Sequence, residues 1–218
     1  MDHQNRSKQD DQQEEIPPTS QNPNPFSELA FETYSDLLED RIILINGDLK
    51  SDIIEKVGIP LMQMAQEKGP IQLYINSDGG SINDSQAICD IIETIDNPVI
   101  TMAFGKAMSA AFDIFLCGSY RICYPNTLFL CHAGSVALGL QTLPAVSVEG
   151  KLHEAYFKRW ARFYASKTNI SEKEWHELLE RGSNKYFFPE DALKHGIVHH
   201  VVGVGKKPSI EKIKKMKW

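Results

Sequence analysis

Three short stretches of this chain bring together residue types that can carry out acyl transfer. Ser109 lies in Gly105-Lys106-Ala107-Met108-Ser109-Ala110-Ala111, between a hydrophobic segment, Pro98 to Phe104, and an apolar one, Ala110 to Cys117. The first reads as a strand and the second as a helix. A hydroxyl at a strand-to-helix turn, with small residues around it, stands exposed beside the N–H groups of the turn that follows. A serine nucleophile needs that arrangement, a reactive oxygen next to donors that stabilise an oxyanion. The same position also suits a helix N-cap, where serine is common. His132 closes a second apolar run, Leu128-Phe129-Leu130-Cys131-His132, and is followed by Ala133-Gly134-Ser135. In a parallel sheet an imidazole there reaches the end of a neighbouring strand; a half-buried histidine bonded to a carbonyl is the plainer alternative. The third stretch, Tyr74 to Ile82, ends a strand in Gly79-Gly80. Glycines let the backbone approach a ligand closely and present an N–H for charge stabilisation, although they also make ordinary tight turns.

The elements needed to hold these stretches are legible as well. Ala87, Ile88, Ile91, Ile92 and Ile95 form one apolar helical face, a cover for a parallel sheet. Tyr156, Phe157, Trp160, Phe163 and Tyr164 make an aromatic stripe on a helix predicted between Lys151 and Lys167. Such a stripe suits core packing. Ser171 and Glu174 form a capping box for the next helix, which turns Trp175, Leu178 and Leu179 inward. Pro189 and Gly196 frame a last short helix. His199 and His200 fall in an alternating strand, Val198 to Val202, and read as structural.

Taken in order, these stretches resemble the ClpP family, the proteolytic subunit of the ATP-dependent Clp protease. The resemblance runs from about Phe31 to Val202. It includes Tyr34 to Ile43 with the turn Asn46-Gly47-Asp48-Leu49, the strand and glycine turn Leu73 to Ser81, and Tyr124-Pro125-Asn126 before the histidine. Phe188-Pro189-Glu190-Asp191-Ala192 with Gly196-Ile197-Val198 completes the series. The resemblance implies an α/β fold of the ClpP/crotonase kind: repeated strand–strand–helix units around a mainly parallel sheet, with a protruding handle helix that carries the aromatic stripe to an opposing ring. It also implies site roles: Ser109 as nucleophile, His132 as general base, the amides of Gly80 and Ala110 as oxyanion hole. Ser81, Ile82, Ala133 and Gly134 match the strands that pair with an extended substrate.

Four positions depart from the family pattern. Asp78 replaces the proline before the two glycines and Ala110 the methionine after the nucleophile. Neither exchange removes a backbone N–H. The stretch between Ser109 and His132 is slightly short, with Gly118-Ser119-Tyr120-Arg121 as the expected trimmed turn. The family's catalytic aspartate reads Asn184. An aspartate there fixes the imidazole tautomer and stabilises the imidazolium. Asn184 can accept a hydrogen bond but supplies no charge, and its NH₂ could favour the wrong tautomer. In a serine protease of another fold the same exchange lowers turnover about ten-thousand-fold. Glu180, one helical turn earlier, is a candidate substitute acid.

Composition sets the outer limits. The chain has 218 residues, 42% apolar and 24% charged, which fits one soluble α/β domain with tails. A net charge of -6 speaks against nucleic acid as the main partner. Cys89, Cys117, Cys123 and Cys131 lie in apolar segments without metal-ligand spacing, so neither a metal nor another cofactor is expected. Residues 1–25 form a polar tail without the apolar core of a signal peptide, 26–204 the peptidase domain, and 205–218 a Lys-rich tail. No segment is apolar enough to span a bilayer, and the expected location is cytoplasmic.

The resulting expectation is a self-compartmentalised serine endopeptidase acting on unfolded proteins or peptides, weakened or conditional because of Asn184. The family implies a homo-oligomeric double ring, fed by an ATP-dependent unfoldase or mixed with a ClpP paralogue. The alternative is a catalytically silent ring subunit that regulates an active paralogue. An acyl-CoA enzyme of the crotonase kind is a third reading, against which the Ser109–His132 pair argues.

Overall fold

The computed structural model describes residues 34–134 and 142–203. The polar N-terminal tail, Ser135 and the Lys-rich C-terminal tail, with the expectations attached to them, lie outside the described residues. The chain divides between Ser35 and Asp36 into two compact units, and every element below belongs to the second.

The apolar segments of the sequence become a parallel sheet. Its main path is β1 (Ile42–Asn46), β2 (Ile71–Ser77), β3 (Val99–Met108), β4 (Tyr120–Cys123) and β7 (His200–Val201), and every ladder along it is parallel. Strands covered on both faces can be buried along their length, as all four residues of β4 are. The helices are α1 (Ile59–Met64, entered through a π-turn at Ile54–Gly58), α2 (Ile82–Thr94), α3 (Ala110–Leu116), α4 (Leu143–Lys167), α5 (Glu172–Glu180) and α6 (Pro189–Lys194). The expected turn Gly118 to Arg121 is shorter than the sequence suggests, because Tyr120 and Arg121 already belong to β4.

β3 governs the placement of the site. Its first half pairs with β4, from Ile100↔Tyr120 to Ala103↔Cys123. Its second half pairs with β5 (Leu128–Cys131), from Lys106↔Leu128 to Met108↔Leu130. The switch of partner occurs at Gly105, whose φ of 71° and missing side chain permit the bend; a Cβ there would stand 2.6 Å from Asn76 Oδ1. The β2–β3 register also shifts between Ile75 and Ser77. β5 in turn pairs antiparallel with β6 (Lys185–Phe187).

Beneath β5, an aromatic cluster ties four elements to α3. Phe112 meets Phe129, Tyr164, Trp175 and Phe187 at centroid distances of 5.9–6.5 Å. The stripe on α4 therefore serves the core with Trp160 and Tyr164, which are buried, while Tyr156 stays on the surface. The N-terminal half of α4 exposes Val146, Val148 and Leu152. The Ser171–Glu174 capping box is present on α5, and Trp175 and Leu179 are fully buried.

Arg121 clamps the C-terminal strand. Its guanidinium is buried without a carboxylate and donates instead to four carbonyls, those of Ile197, Gly118, Lys167 and Gly196, at 2.7–3.2 Å. Desolvation lowers its pKa to about 10, so it remains charged at neutral pH. His199 accepts a hydrogen bond from the Arg121 amide at 2.9 Å and stacks on Tyr120. Replacing the guanidinium by the apolar Arg121→Met leaves those carbonyls without their donor. The variant is expected to lose roughly 3 kcal/mol of stability, read as a lower urea midpoint at unchanged m-value.

Candidate active site

Ser109 follows directly on β3 and precedes the first residue of α3. Its φ of 53° and ψ of -129° place it in a conformation that L-residues rarely adopt. Two bonds hold it there: its N–H donates to Leu130 O at 2.8 Å, and its carbonyl accepts from Phe112 N at 2.8 Å. Ser109 sits at the N-cap position, yet its side chain caps nothing. Its Oγ lies 2.7 Å from Nε2 of His132, the residue just past the end of β5. The Ser109 side chain thus meets the imidazole instead of capping α3, and Nε2 of His132 is taken up by that hydroxyl. The ladder prepares the 2.7 Å contact: Met108 opposes Leu130, which sets Ser109 level with Cys131, the residue before His132, at the same sheet edge.

The glycine turn packs against this hydroxyl. A Cβ at Gly79 would meet Met108 O at 2.6 Å, Ser109 Cβ at 2.8 Å and Ala110 N at 3.0 Å, so only glycine fits. The Ser77 hydroxyl accepts from Gly79 N at 3.0 Å, and Leu49 bridges the turn through bonds with Gly79 O and Ser81 N. The amide of Gly80 takes part in neither bridge bond. The amide of Ala110 opens α3 and is one of the N–H groups that a helix start leaves unpaired within the helix. Asp78, where the family pattern has proline, forms an ion pair with Lys106 of β3 and fastens the turn to that strand. The hydroxyl already bonded to an imidazole thus stands beside the helix start that begins with Ala110, an arrangement able to form an acyl-enzyme.

The four residues matched to substrate-pairing strands are placed differently from one another. Ser81 is extended and caps α2, accepting from Asp84 N at 3.4 Å. Ile82 is the first residue of α2 rather than part of a strand, because the Ser81 cap starts the helix there. Ile82, Ala133 and Gly134 line a narrow slot that also contains Ser109, Ala110 and His132.

Asn184 precedes β6. The antiparallel register Cys131↔Lys185, carried one position further, sets it opposite His132. It is exposed, and among the described residues neither its amide nor His132 Nδ1 finds a hydrogen-bond partner in the other. Glu180 pairs with His176 of its own helix at 3.4 Å, a partner the sequence reading did not consider for it.

One residue of the site escaped the sequence reading. Asp113, in the apolar run of α3, is 4% exposed and reaches the slot from one helical turn beyond Ser109. Tyr164 donates its hydroxyl proton to Asp113 Oδ1 at 2.7 Å. Burial pushes the carboxyl up to about 7, against a smaller lowering by that hydrogen bond. The signal that could have found it is a lone acid in Ala-Ala-Phe-Asp-Ile-Phe-Leu, four residues after the serine. The four cysteines are buried and free, and among the described residues no group of three or more His, Cys, Asp or Glu could hold a metal ion. No helix of the described residues is long and apolar enough to cross a membrane.

Residues 26–205 match the Clp protease family. The ATP-dependent Clp protease proteolytic subunit of Deinococcus radiodurans is 29% identical over 180 residues, covering 80% of this chain and 86% of that protein. The ATP-dependent Clp protease proteolytic subunit 3 of Streptomyces avermitilis is 31% identical over 178 residues, covering 80% of each. Among solved structures, an asparagine-to-aspartate mutant of ClpP1 from Listeria monocytogenes superposes with a TM-score of 0.69. It covers 78% of this chain and 95% of its own, at 24% identity, and so speaks for the fold.

Two stability measurements check the local physics. Ser109→Gly removes the Cβ from a positive-φ position, whereas Ser109→Ala keeps it. The glycine variant is expected to be more stable than the alanine variant by about 1–2 kcal/mol in chemical denaturation. Asp113 has a folded pKa above its ordinary value, so its contribution is complete below about pH 4 and lost as pH rises through about 7. The groups around it are Tyr164 of α4, Cys131 of β5, Cys89 of α2 and, along the slot, His132. Asp113→Asn should therefore gain on the wild type between pH 5 and pH 8, on the order of 2–3 kcal/mol, with the unfolding free energies measured at both.

Proposed function

Because this chain belongs to the Clp protease family, we propose that it is a serine endopeptidase of the ClpP kind, cleaving unfolded proteins or peptides inside a ring-shaped chamber. One observation carries the reading: the hydrogen bond of 2.7 Å between Ser109 Oγ and His132 Nε2 at the sheet edge. In the proposed reaction Nε2 takes the Oγ proton as the oxygen attacks the scissile carbonyl. The amides of Gly80 and Ala110 receive the oxyanion. The imidazolium then protonates the leaving amine, and water, activated by the same nitrogen, releases the acyl group. This role requires the tautomer with its proton on Nδ1.

Asn184 sets the level of activity. In the register position opposite His132 its carbonyl oxygen can accept the Nδ1 proton and orient the ring, but no charge balances the imidazolium. The enzyme is accordingly weak on its own or active only when assembly brings Asn184 onto the ring. By family membership, assembly is a homo-oligomeric double ring in the cytoplasm, open to an ATP-dependent unfoldase or to a ClpP paralogue. A second reading is supported by the exposure of Asn184 and its lack of a bond to His132: a silent ring subunit that regulates an active paralogue.

Labelling by a serine-reactive fluorophosphonate separates the two. An active enzyme is modified at Ser109, not at all in Ser109→Ala, and at least tenfold faster in Asn184→Asp. If neither the wild type nor Asn184→Asp is labelled while both assemble, the silent-subunit reading stands and the peptidase reading fails.

A further inference from the structure

Two backbone partners hold Ser109 in its positive-φ conformation. The carbonyl of Leu130, on β5, accepts its N–H, and the N–H of Phe112, on α3, donates to its carbonyl, each at 2.8 Å. The residues that follow these two partners meet at one point. Asp113 follows Phe112 and Cys131 follows Leu130, and both side chains reach the hydroxyl of Tyr164 on α4. That hydroxyl donates to Asp113 Oδ1 at 2.7 Å, and the Cys131 thiol lies beside it. All three side chains are buried. His132 is the next residue after Cys131.

We propose that Tyr164 is a positioning residue for the Ser109–His132 pair. Its hydroxyl ties the helix that carries the nucleophile to the strand that carries the base, one residue beyond each of the bonds that hold Ser109. The proposal rests on the peptidase reading above. It deepens that reading by giving a task in the reaction to a side chain that the aromatic stripe alone assigns to core packing. Tyr164 acts through Asp113 and Cys131, not on the reacting atoms.

A non-glycine residue at positive φ persists only where its surroundings over-determine it. The two backbone bonds are one restraint on Ser109, and the spacing between α3 and β5 is the other. Apolar packing sets that spacing loosely, because it is non-directional. The Tyr164 ring meets Phe112 and Trp175 at 5.9 and 5.0 Å, contacts that a phenylalanine would keep. The hydroxyl adds a directional bond. Among the described residues the Asp113 carboxyl makes this one hydrogen bond, so removing the hydroxyl leaves a buried acid unsatisfied in the first turn of α3, next to Phe112. The imidazole depends on the same restraint. With no bond between Asn184 and His132 among the described residues, the ring is placed from below, by the end of β5. Reaction rates respond steeply to such placement, and a shift of about 1 Å can cost about a hundredfold.

The test follows fluorophosphonate labelling of the full chain by intact mass. In that reaction Ser109 Oγ bonds to phosphorus, fluoride leaves, and the hydroxyl proton passes to His132. The limiting rate at saturating probe and the half-saturating concentration are measured separately. Where the wild type is too slow to follow, all comparisons are made in Asn184→Asp. Tyr164→Phe keeps the ring and loses the hydroxyl; its limiting rate should fall at least tenfold, with the half-saturating concentration within twofold. Asp113→Asn still offers Tyr164 an acceptor and should retain at least a third of the rate. Asp113→Leu removes the acceptor at similar size and should fall as far as Tyr164→Phe; it carries the test if Tyr164→Phe does not fold. Arg121→Met, destabilised at the C-terminal strand, should label at the unsubstituted rate, which separates positioning from a general loss of stability. A fall of less than tenfold in Tyr164→Phe overturns the proposal. So does an Asp113→Asn rate below a third, or a tenfold loss in Arg121→Met. If neither the wild type nor Asn184→Asp is labelled, the peptidase reading fails and the proposal falls with it. Labelling of either, with Tyr164→Phe unslowed, refutes the positioning role alone.

Discussion

The site depends on one constraint: β3 must change neighbours before it ends. A straight strand paired with β4 along its whole length would deliver Ser109 to an edge with no imidazole. The bend at Gly105 hands the last three residues to β5, and the Ser109 N–H to Leu130 O bond fixes the level at which the two strands finish. Ser109 then accepts a backbone conformation with φ of 53°, and Gly79 can lie against it because it lacks a Cβ. Strain at the serine and the absent glycine side chain are two sides of one close approach. The aromatic cluster around Phe112 holds α3 below and keeps that approach in place.

Much of this was legible in the residues. The hydrophobic runs ending in Ser109 and His132 marked two strand ends, and the family series ordered them. Local chemistry was enough for the capping box at Ser171, since both of its hydrogen bonds lie within four residues. What depended on sheet register was harder to read. Nothing in the local pattern says that β3 serves two partners, that Tyr120 already belongs to a strand, or that Ile82 opens a helix. Asp113 was missed for a related reason. Its run looks apolar on average, and its meaning lies in a hydroxyl 51 positions away that only the fold brings to it.

The electrostatics of the site are redistributed rather than simply weakened. The family pattern puts a carboxylate on the far side of the histidine; here that position holds an uncharged, exposed amide. A different carboxyl, on the helix that carries the serine, is buried one turn below the nucleophile. The two cannot exchange tasks. Asn184 sits in register with His132, where ring orientation is decided, whereas Asp113 is bonded to Tyr164 and opens on the slot. The first place thus holds no counter-charge for the imidazole, and the acid at the second is tied to a tyrosine instead.

The most direct measurement is a crystal structure of the chain after reaction with a phosphonate at Ser109. The account predicts a phosphonyl oxygen at about 2.7–3.1 Å from both the Gly80 and Ala110 amide nitrogens, with His132 Nε2 still beside the former hydroxyl oxygen. A phosphonyl oxygen directed to solvent, with either amide turned away, would contradict it.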